Sequence, residues 1–555
     1  MAWFPPFSRR RRRSPNLAAP RAKTDAVYDF VVIGSGFGGS ISAMRLAEKG
    51  YGVLVLEQGK RYDDREFPSS NWIIRKYLWW PVARCFGIFQ MNLFKDVMVL
   101  TGVGVGGGSL VYANVLSEPD EQVFDTPEWN SPWHWREVLH PHYATARRML
   151  GVAVNPRLWP ADLVLQEVAR EWHREHTFEP LPVGVFFGEP GVSVPDPYFQ
   201  GQGPDRAGCT HCGGCMIGCR YNAKNTLPKN YLYFAEKWGT EVRSEAQVDD
   251  IQPLSGHQAD GARFEVRYRR ATAWFQPPEQ SVRARNVILA AGTLGTLRLL
   301  FCCRDLTRSL PHVSPRLGDL VRTNSESLLG VTAREPQPDY SQGIAVTSRF
   351  RPDAVTIIEP ARYPDGSSLL RFLAGPLIES GSFAKRLFKF AAALGRPLDF
   401  LITHLLPGWA RRTTIILVMK REDNRLRFRL GRGLSTWFRC NLRSETDPDH
   451  PLPLDLETGY RVARAFAAKS NGIAASTINE ALLNIPVSAH ILGGCPLARD
   501  SEEGVVDLNF QVHHYPGLYV IDGSVMPGNP GINPSLTIAA MAEFALSKIP
   551  AKKKL

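Results

Sequence analysis

Four cysteines carry the most specific spacing in the chain. Cys209, Cys212, Cys215 and Cys219 follow C-x2-C-x2-C-x3-C, the pattern by which ferredoxin thiolates converge on an iron–sulfur cube. Arg220 rather than proline follows the last of them, and there is no second cysteine-rich run. Three chemistries stay open: a [4Fe–4S] cluster, a zinc site, or structural thiols with no ligand. His211 and Cys495 are further candidate ligands. A second reactive group is His490, in Ser488-Ala489-His490-Ile491-Leu492-Gly493-Gly494-Cys495. A neutral imidazole can take a proton from a hydroxyl near physiological pH, although a lone histidine is more often a satisfied core residue. Glu359 follows the apolar run Val355-Thr356-Ile357-Ile358. Burial there would raise its pKa and suit it to shuttle a proton, whereas a salt-bridged glutamate at a strand end would do no chemistry. Asn533 precedes Pro534 and Ser535 at an expected helix start, where it caps the helix or reaches a ligand.

These groups need a scaffold, and the N-terminal region supplies its clearest piece. Tyr28 to Ile33 is an apolar, β-branched run that reads as a buried parallel strand. It leads into Gly34-Ser35-Gly36-Phe37-Gly38-Gly39, and Ser40 to Lys49 reads as a helix stopped by Gly50. A second strand, Val53 to Leu56, ends at Glu57, 23 residues after Gly34. Gly34 permits the tight turn, Gly36 admits a pyrophosphate, and Gly39 lets helix and strand pack closely. The helix N-terminus offers free N–H groups to phosphates, and Glu57 stands where a carboxylate would accept from ribose hydroxyls. Such a βαβ unit reads only ADP, so it does not separate FAD from NAD.

Three later segments bear on that choice. Gly102 to Val115 (GVGVGGGSLVYANV) is a glycine-rich stretch. Asn286 to Thr296 reads as strand, turn and helix. In the third, Leu518 to Ile521 form a strand ending at Asp522 and Gly523, and Asn533-Pro534-Ser535 then opens a helix with proline at its first position. A helix N-terminus there would stabilise the negative charge of a reduced flavin. Together the segments resemble the glucose–methanol–choline (GMC) oxidoreductase family, and among its members the cholesterol-oxidase-like ones, from Tyr28 to about Ile549. The resemblance implies FAD, held by Gly34, Gly36, Phe37, Gly38, Gly39, Glu57, Gly107, Gly108, Ser109, Ala113, Asn114, Val248, Asp522, Gly523, Asn533 and Pro534. It implies that His490 binds the substrate hydroxyl and accepts its proton, with Ile491 where the family usually has proline. Asn533 would orient substrate and polarise reduced flavin, and Glu359 would move a proton from C4 to C6 of a steroid.

The fold expected is α/β: a Rossmann-like FAD-binding domain interleaved with a substrate domain built on an antiparallel sheet with helices. The division read is a basic disordered tail (1–26), FAD-binding parts at 27–115, 241–311 and 486–550, a cap region with the cysteines (116–240), and a substrate domain (312–485). The function expected is FAD-dependent oxidation of a secondary alcohol on a bulky apolar molecule, a 3-hydroxysteroid above others, with oxygen as acceptor. Two alternatives stand beside it: a dehydrogenase sending electrons through an iron–sulfur cluster to another acceptor, and a membrane-peripheral lipid-binding flavoprotein without turnover.

Bulk properties limit the remaining classes. With 44% hydrophobic and 22% charged residues, 555 residues can enclose both a cofactor and an apolar substrate. Part of the +12 formal charge sits in Arg9 to Arg13, with Arg21 and Lys23 behind, a solvated tail or an attraction to anionic lipid. No basic–aromatic module follows, so nucleic acid is not an expected partner. The residues after that run lack an apolar core, so no cleaved signal peptide is read, and nine cysteines without a disulfide framework fit the cytoplasm. Two oily, basic segments, Trp72 to Phe94 and Phe383 to Trp409, are core, a substrate lid or a peripheral membrane contact.

Overall fold

A computed structural model describes residues 27–256, 258–274, 278–379, 381–432, 440–453 and 456–553. The basic run Arg9 to Arg13 lies outside them. The first strand, β1 (Val27–Ile33), is followed by helix α1 (Phe37–Glu48) and strand β2 (Val53–Leu56). The helix starts three residues earlier than the sequence suggests, inside the glycine motif, because close packing holds those glycines in the first turn. A Cβ on Gly38 would stand 1.8 Å from the Ile521 carbonyl oxygen, and one on Gly39 would stand 2.0 Å from that of Gly34. Gly34 itself turns at φ +97°, a conformation that L side chains rarely adopt.

The sheet is completed from distant parts of the chain: β3 (Glu241–Arg243), β4 (Ala246–Pro253), β5 (Phe264–Arg270) and the long β6 (Gln280–Leu289). Strands β3, β2, β1 and β6 run parallel in that order. The far edge of β6 is shared. Its first half pairs with antiparallel β5, and its last residues, Val287 to Leu289, take up a parallel C-terminal strand, Leu518–Val520. Helix α2 (Gly292–Phe301) leaves the end of β6. Ligands in such sheets sit beyond the carboxyl ends of the parallel strands, which is where the glycine motif lies.

A second, antiparallel sheet is built from β7 (Ser327–Ala333), β8 (Thr356–Ala361), β9 (Ala374–Pro376), β10 (Thr413–Lys420) and β11 (Gly472–Thr477), in the order β8-β10-β7-β11-β9. Strand alternation divides its residues. Leu329, Val331, Ile358, Ile416 and Val418 face back into a buried cluster with Tyr460, Ala463 and Phe466 of the helix Glu457–Lys469. Leu328, Gly330, Ile357, Glu359, Leu417 and Met419 occupy the front. A Cβ added at Gly330 would meet nothing within 4 Å, so the middle of this front face opens on space.

The oily segments fold as surface pieces with buried anchors. In the helix Phe383–Leu394, Phe383, Leu387 and Phe388 are exposed, while Arg386 is buried and donates to the carbonyl of Ala481 (3.2 Å), Asn484 Oδ1 (2.7 Å) and the carbonyl of Glu480. Trp72, Ile73, Ile74 and Trp80 are exposed in the other segment. Among the described residues no helix is long and apolar enough to cross a membrane.

Candidate active site

The two glycine loops meet at the carboxyl edge of the parallel sheet. A Cβ on Gly107 would stand 2.7 Å from the Gly36 Cα, yet a Cβ on Gly36 or Gly108 would meet nothing within 4 Å. Backbone packed on one side and open on the other is what an extended phosphate-bearing cofactor needs. Glu57 straps the loops together. Its Oε2 accepts from the Ser35 amide (3.1 Å) and hydroxyl (2.8 Å), and its Oε1 accepts from the amides of Gly59 (2.8 Å) and Gly104 (3.3 Å). A ribose hydroxyl could replace the long bond from Gly104. Burial raises the Glu57 pKa, against the pull of these donors. Ser109 is turned to its own loop, donating to the Gly106 carbonyl (2.7 Å) and accepting from the Leu227 amide (3.1 Å). Asn114 is buried at φ 72°, Ala113 is partly buried beside it, and Val248 packs at the edge of the main core.

The C-terminal block locks onto this cradle. Asp522 accepts from the Ser524 amide (2.8 Å) and hydroxyl (2.6 Å) and from the Thr296 hydroxyl (2.6 Å), tying the last strand to α2. The His490 loop is held to the same block by the Gly493 amide on the Gly523 carbonyl and the Cys495 amide on the Ser524 carbonyl, both 2.9 Å. Helix Ser535–Ser547 begins one residue later than expected, with Pro534 rather than a capping side chain at its start. Asn533 is therefore released from capping. Its Nδ2 donates to Glu359 Oε2 at 3.3 Å, and its Oδ1 is buried without a partner among the described residues.

One short segment, Val321 to Ser327, holds two of the three candidates, His490 and the stretch that carries Asn533. Arg322 pairs through its backbone with Leu492, Asn324 Nδ2 donates to the Ile532 carbonyl (2.9 Å), and Glu326 reaches His490. The Glu326 carboxylate is buried. Its Oε2 lies 2.8 Å from His490 Nδ1, and its Oε1 accepts from the His490 amide (3.1 Å) and the Ser488 hydroxyl. Nδ1 is thus the protonated nitrogen, and Nε2 has no protein hydrogen bond among the described residues, so it is available to a substrate. Burial pulls the imidazolium down, but the charge and hydrogen bond of Glu326, with the charge of Glu359, hold His490 above 6.5. Glu326 is the functional residue that sequence reasoning missed. Its one signal is a polar run, Thr323-Asn324-Ser325-Glu326, before an apolar strand.

Glu359 lies within β8 rather than at a strand end, opposite Leu417 and fully buried, with no ion pair among the described residues. Burial pushes its pKa up to about 7, against the charge of Arg349, the Asn533 hydrogen bond and the charge of His490, while Glu326 adds to the rise. Its Oε1 has no hydrogen-bond partner among the described residues. The structure thus brings His490, Asn533 and Glu359 together at the front of the antiparallel sheet. The cysteines lie elsewhere. Cys209, Cys212, Cys215 and Cys219 line a separate cavity with Lys224 and Tyr221. Among the described residues no three His, Cys, Asp or Glu side chains are grouped to clamp a single metal ion, and His211 and Cys495 do not complete such a group.

The chain is similar to several known proteins. Residues 454–542 match the family model described as GMC oxidoreductase. The chain is 43% identical over 534 residues to a cholesterol oxidase of Acinetobacter baumannii, covering 95% of each. It is 44% identical over 539 residues to a cholesterol oxidase of Mycobacterium tuberculosis (strain ATCC 25618 / H37Rv), covering 95% of this chain and 91% of the relative. A crystal structure of pyridoxine 4-oxidase from Mesorbium loti superposes with a TM-score of 0.58 at 15% identity, over 94% of this chain and 99% of that one, a likeness of fold.

Proposed function

Because the chain belongs to the GMC oxidoreductase family, we propose that it oxidises the 3-hydroxyl of a sterol to a ketone with oxygen as acceptor. The observation that carries this reading is the convergence of His490, Asn533 and Glu359 on a largely apolar sheet face that opens on space at Gly330. Bound FAD supplies the acceptor for the hydride that leaves the carbinol carbon. The open backbone at Gly36 and Gly108 fits its pyrophosphate. Glu57 would take the ribose, and Phe37, Gly107, Asn114, Val248, Gly523 and Pro534 would line the rest. His490 Nε2 accepts the hydroxyl proton, and Glu326 stabilises the imidazolium that results. Asn533 holds substrate and flavin edge in register through the partnerless Oδ1 and the Nδ2 shared with Glu359. Glu359 carries the proton of a subsequent double-bond shift.

Gly330 sets the room for the ring system. Gly330→Val is expected to lower kcat/KM for a four-ring sterol by about tenfold or more, and to change turnover of a small secondary alcohol little. Equal losses on both substrates would remove Gly330 from the sterol site. The exposed Phe383, Leu387 and Phe388, on a helix that also carries Lys385 and Lys389, support peripheral contact with a lipid surface that delivers the sterol. All nine cysteines are unpaired, which supports a reducing, cytoplasmic setting.

Anaerobic titration of the purified flavoprotein with a 3-hydroxysterol tests the function. Bleaching of the oxidised flavin band is expected, followed by hydrogen peroxide when air is admitted. Binding without bleaching would overturn the reading in favour of a lipid-binding flavoprotein. Bleaching without peroxide would replace oxygen by another acceptor.

A further inference from the structure

The cysteine loop is shaped by three left-handed residues, His211 (φ 54°), Gly213 (φ 71°) and Gly218 (φ 87°). Packing fixes two of these turns. A Cβ on Gly213 would stand 2.3 Å from the Ser341 carbonyl oxygen, and one on Gly218 would stand 2.2 Å from the Phe67 ring. The curvature brings all four cysteines to the wall of one cavity.

The surrounding charge is unbalanced. Lys224, 1% exposed, lines that cavity and among the described residues donates only to the carbonyls of Leu110 (2.9 Å) and Cys215 (2.7 Å). Arg206, also 1% exposed, packs behind it and donates to the carbonyls of Asn222 (3.1 Å) and Lys224 (2.8 Å) and to Asn225 Oδ1. Among the described residues neither forms an ion pair, whereas the nearby buried Arg362 has Asp162 at 3.7 Å. Buried charges are ordinarily paired, so two such cations beside one cavity call for an anion inside it.

We propose that Cys209, Cys212, Cys215 and Cys219 ligate an iron–sulfur cluster, with Lys224 and Arg206 as its buried counter-charges. Each thiol loses its proton as its sulfur–iron bond forms, and four thiolates outweigh the positive iron–sulfide core, which leaves the assembly anionic. The spacing is that of ferredoxin ligands. Zinc fits less well. Bonds of about 2.3 Å would draw its four sulfurs to roughly 3.8 Å from one another, and no such tight group stands among the described residues. A cube instead spreads its thiolates around its corners. Because Lys224 also holds Leu110, at the end of the Gly107–Leu110 turn, the cluster sits against the loop that lines the proposed flavin site. The inference goes beyond the alcohol oxidation proposed above, and metal content tests it without any turnover.

The full-length protein, purified under strict anaerobiosis, should contain about four irons and four acid-labile sulfides per chain, with a paramagnetic signal after dithionite reduction. Cys212 is exposed, so Cys212→Ser should fold, keep its flavin and lose iron and sulfide together. Lys224→Met should lower the reduction potential of the cluster, because a neighbouring positive charge is lost. Wild-type protein that lacks iron and sulfide, or that carries zinc in their place, would overturn the proposal. Iron content unchanged in both Cys212→Ser and Cys215→Ser would overturn the ligand assignment, and an unchanged potential in Lys224→Met the counter-charge.

Discussion

Replacing His490 by glutamine is expected to lower kcat for sterol oxidation by about 10²- to 10⁴-fold, the usual contribution of a positioned proton acceptor, with the flavin content of the protein unchanged. The loss should be this large because, among the described residues of the site, no second imidazole stands beside the substrate hydroxyl. Asn533 offers an amide, and Glu359 is committed to Asn533 on one oxygen. The pH profile follows from Glu326. The neutral imidazole accepts the proton, and His490 is held above 6.5, so wild-type kcat/KM should rise with pH through that raised value. Glu326→Gln removes the charge that opposes burial, so the rising limb should move to lower pH while the ceiling falls. The same pair contributes to stability. Since the folded His490 value lies above the unfolded one, that contribution is fully present below 6.5 and is lost as pH rises through the raised value. Glu326→Gln should therefore cost more stability at pH 5 than at pH 9. A Glu326→Gln protein with an unshifted pH profile would reduce Glu326 to a structural residue, and turnover retained in His490→Gln would remove His490 from the reaction.

Local rules explain why much of this could be read before any fold was known. The strand-turn-helix at Tyr28 to Glu48 is dictated within the segment itself, by apolar alternatives on the strand and by glycines where backbone meets backbone. Even so, the helix start moved by three residues, because the space around Gly38 is set by Ile521, nearly five hundred residues away. Pairing at a distance was invisible for the same reason. Nothing near Glu326 in sequence announces His490, and their 2.8 Å contact joins segments that a β-bridge between Arg322 and Leu492 holds side by side. Asn533 shows the reverse case. Its local context offers a capping role, and the arrival of β8 with Glu359 gives its amide another partner. Glu57 sits where the motif requires an acid, yet its carboxylate serves Ser35, Gly59 and Gly104 at once. A motif fixes a residue's place more firmly than its set of partners.

Glu359→Gln should separate two reactions that the wild type joins. Oxidation at C3 needs His490 and the flavin, so it should fall by less than about tenfold, whereas the double-bond shift needs a base for the C4 proton and should fall by about 10²- to 10⁴-fold. The unconjugated ketone should then accumulate, seen as substrate consumed without the ultraviolet band of a conjugated enone. The wild type should show the same division as a function of pH. Burial places Glu359 at about 7, so its carboxylate becomes the main form only above that value, and the ratio of enone to unconjugated ketone should climb between pH 6 and pH 8. Stability gives a test that does not depend on turnover. An acid raised from 4.5 to about 7 favours the folded state fully below 4.5 and loses that contribution as pH rises through 7. At pH 8 the buried carboxylate therefore costs roughly 3 kcal/mol, the equivalent of that rise. Glutamine keeps the shape and the amide contact without the charge, so the variant should melt higher than wild type at pH 8 and not at pH 4. A variant that forms the conjugated enone at the wild-type rate would show that Glu359 is not the proton carrier, and a Tm difference that does not change with pH would show that it is not a buried acid of raised pKa.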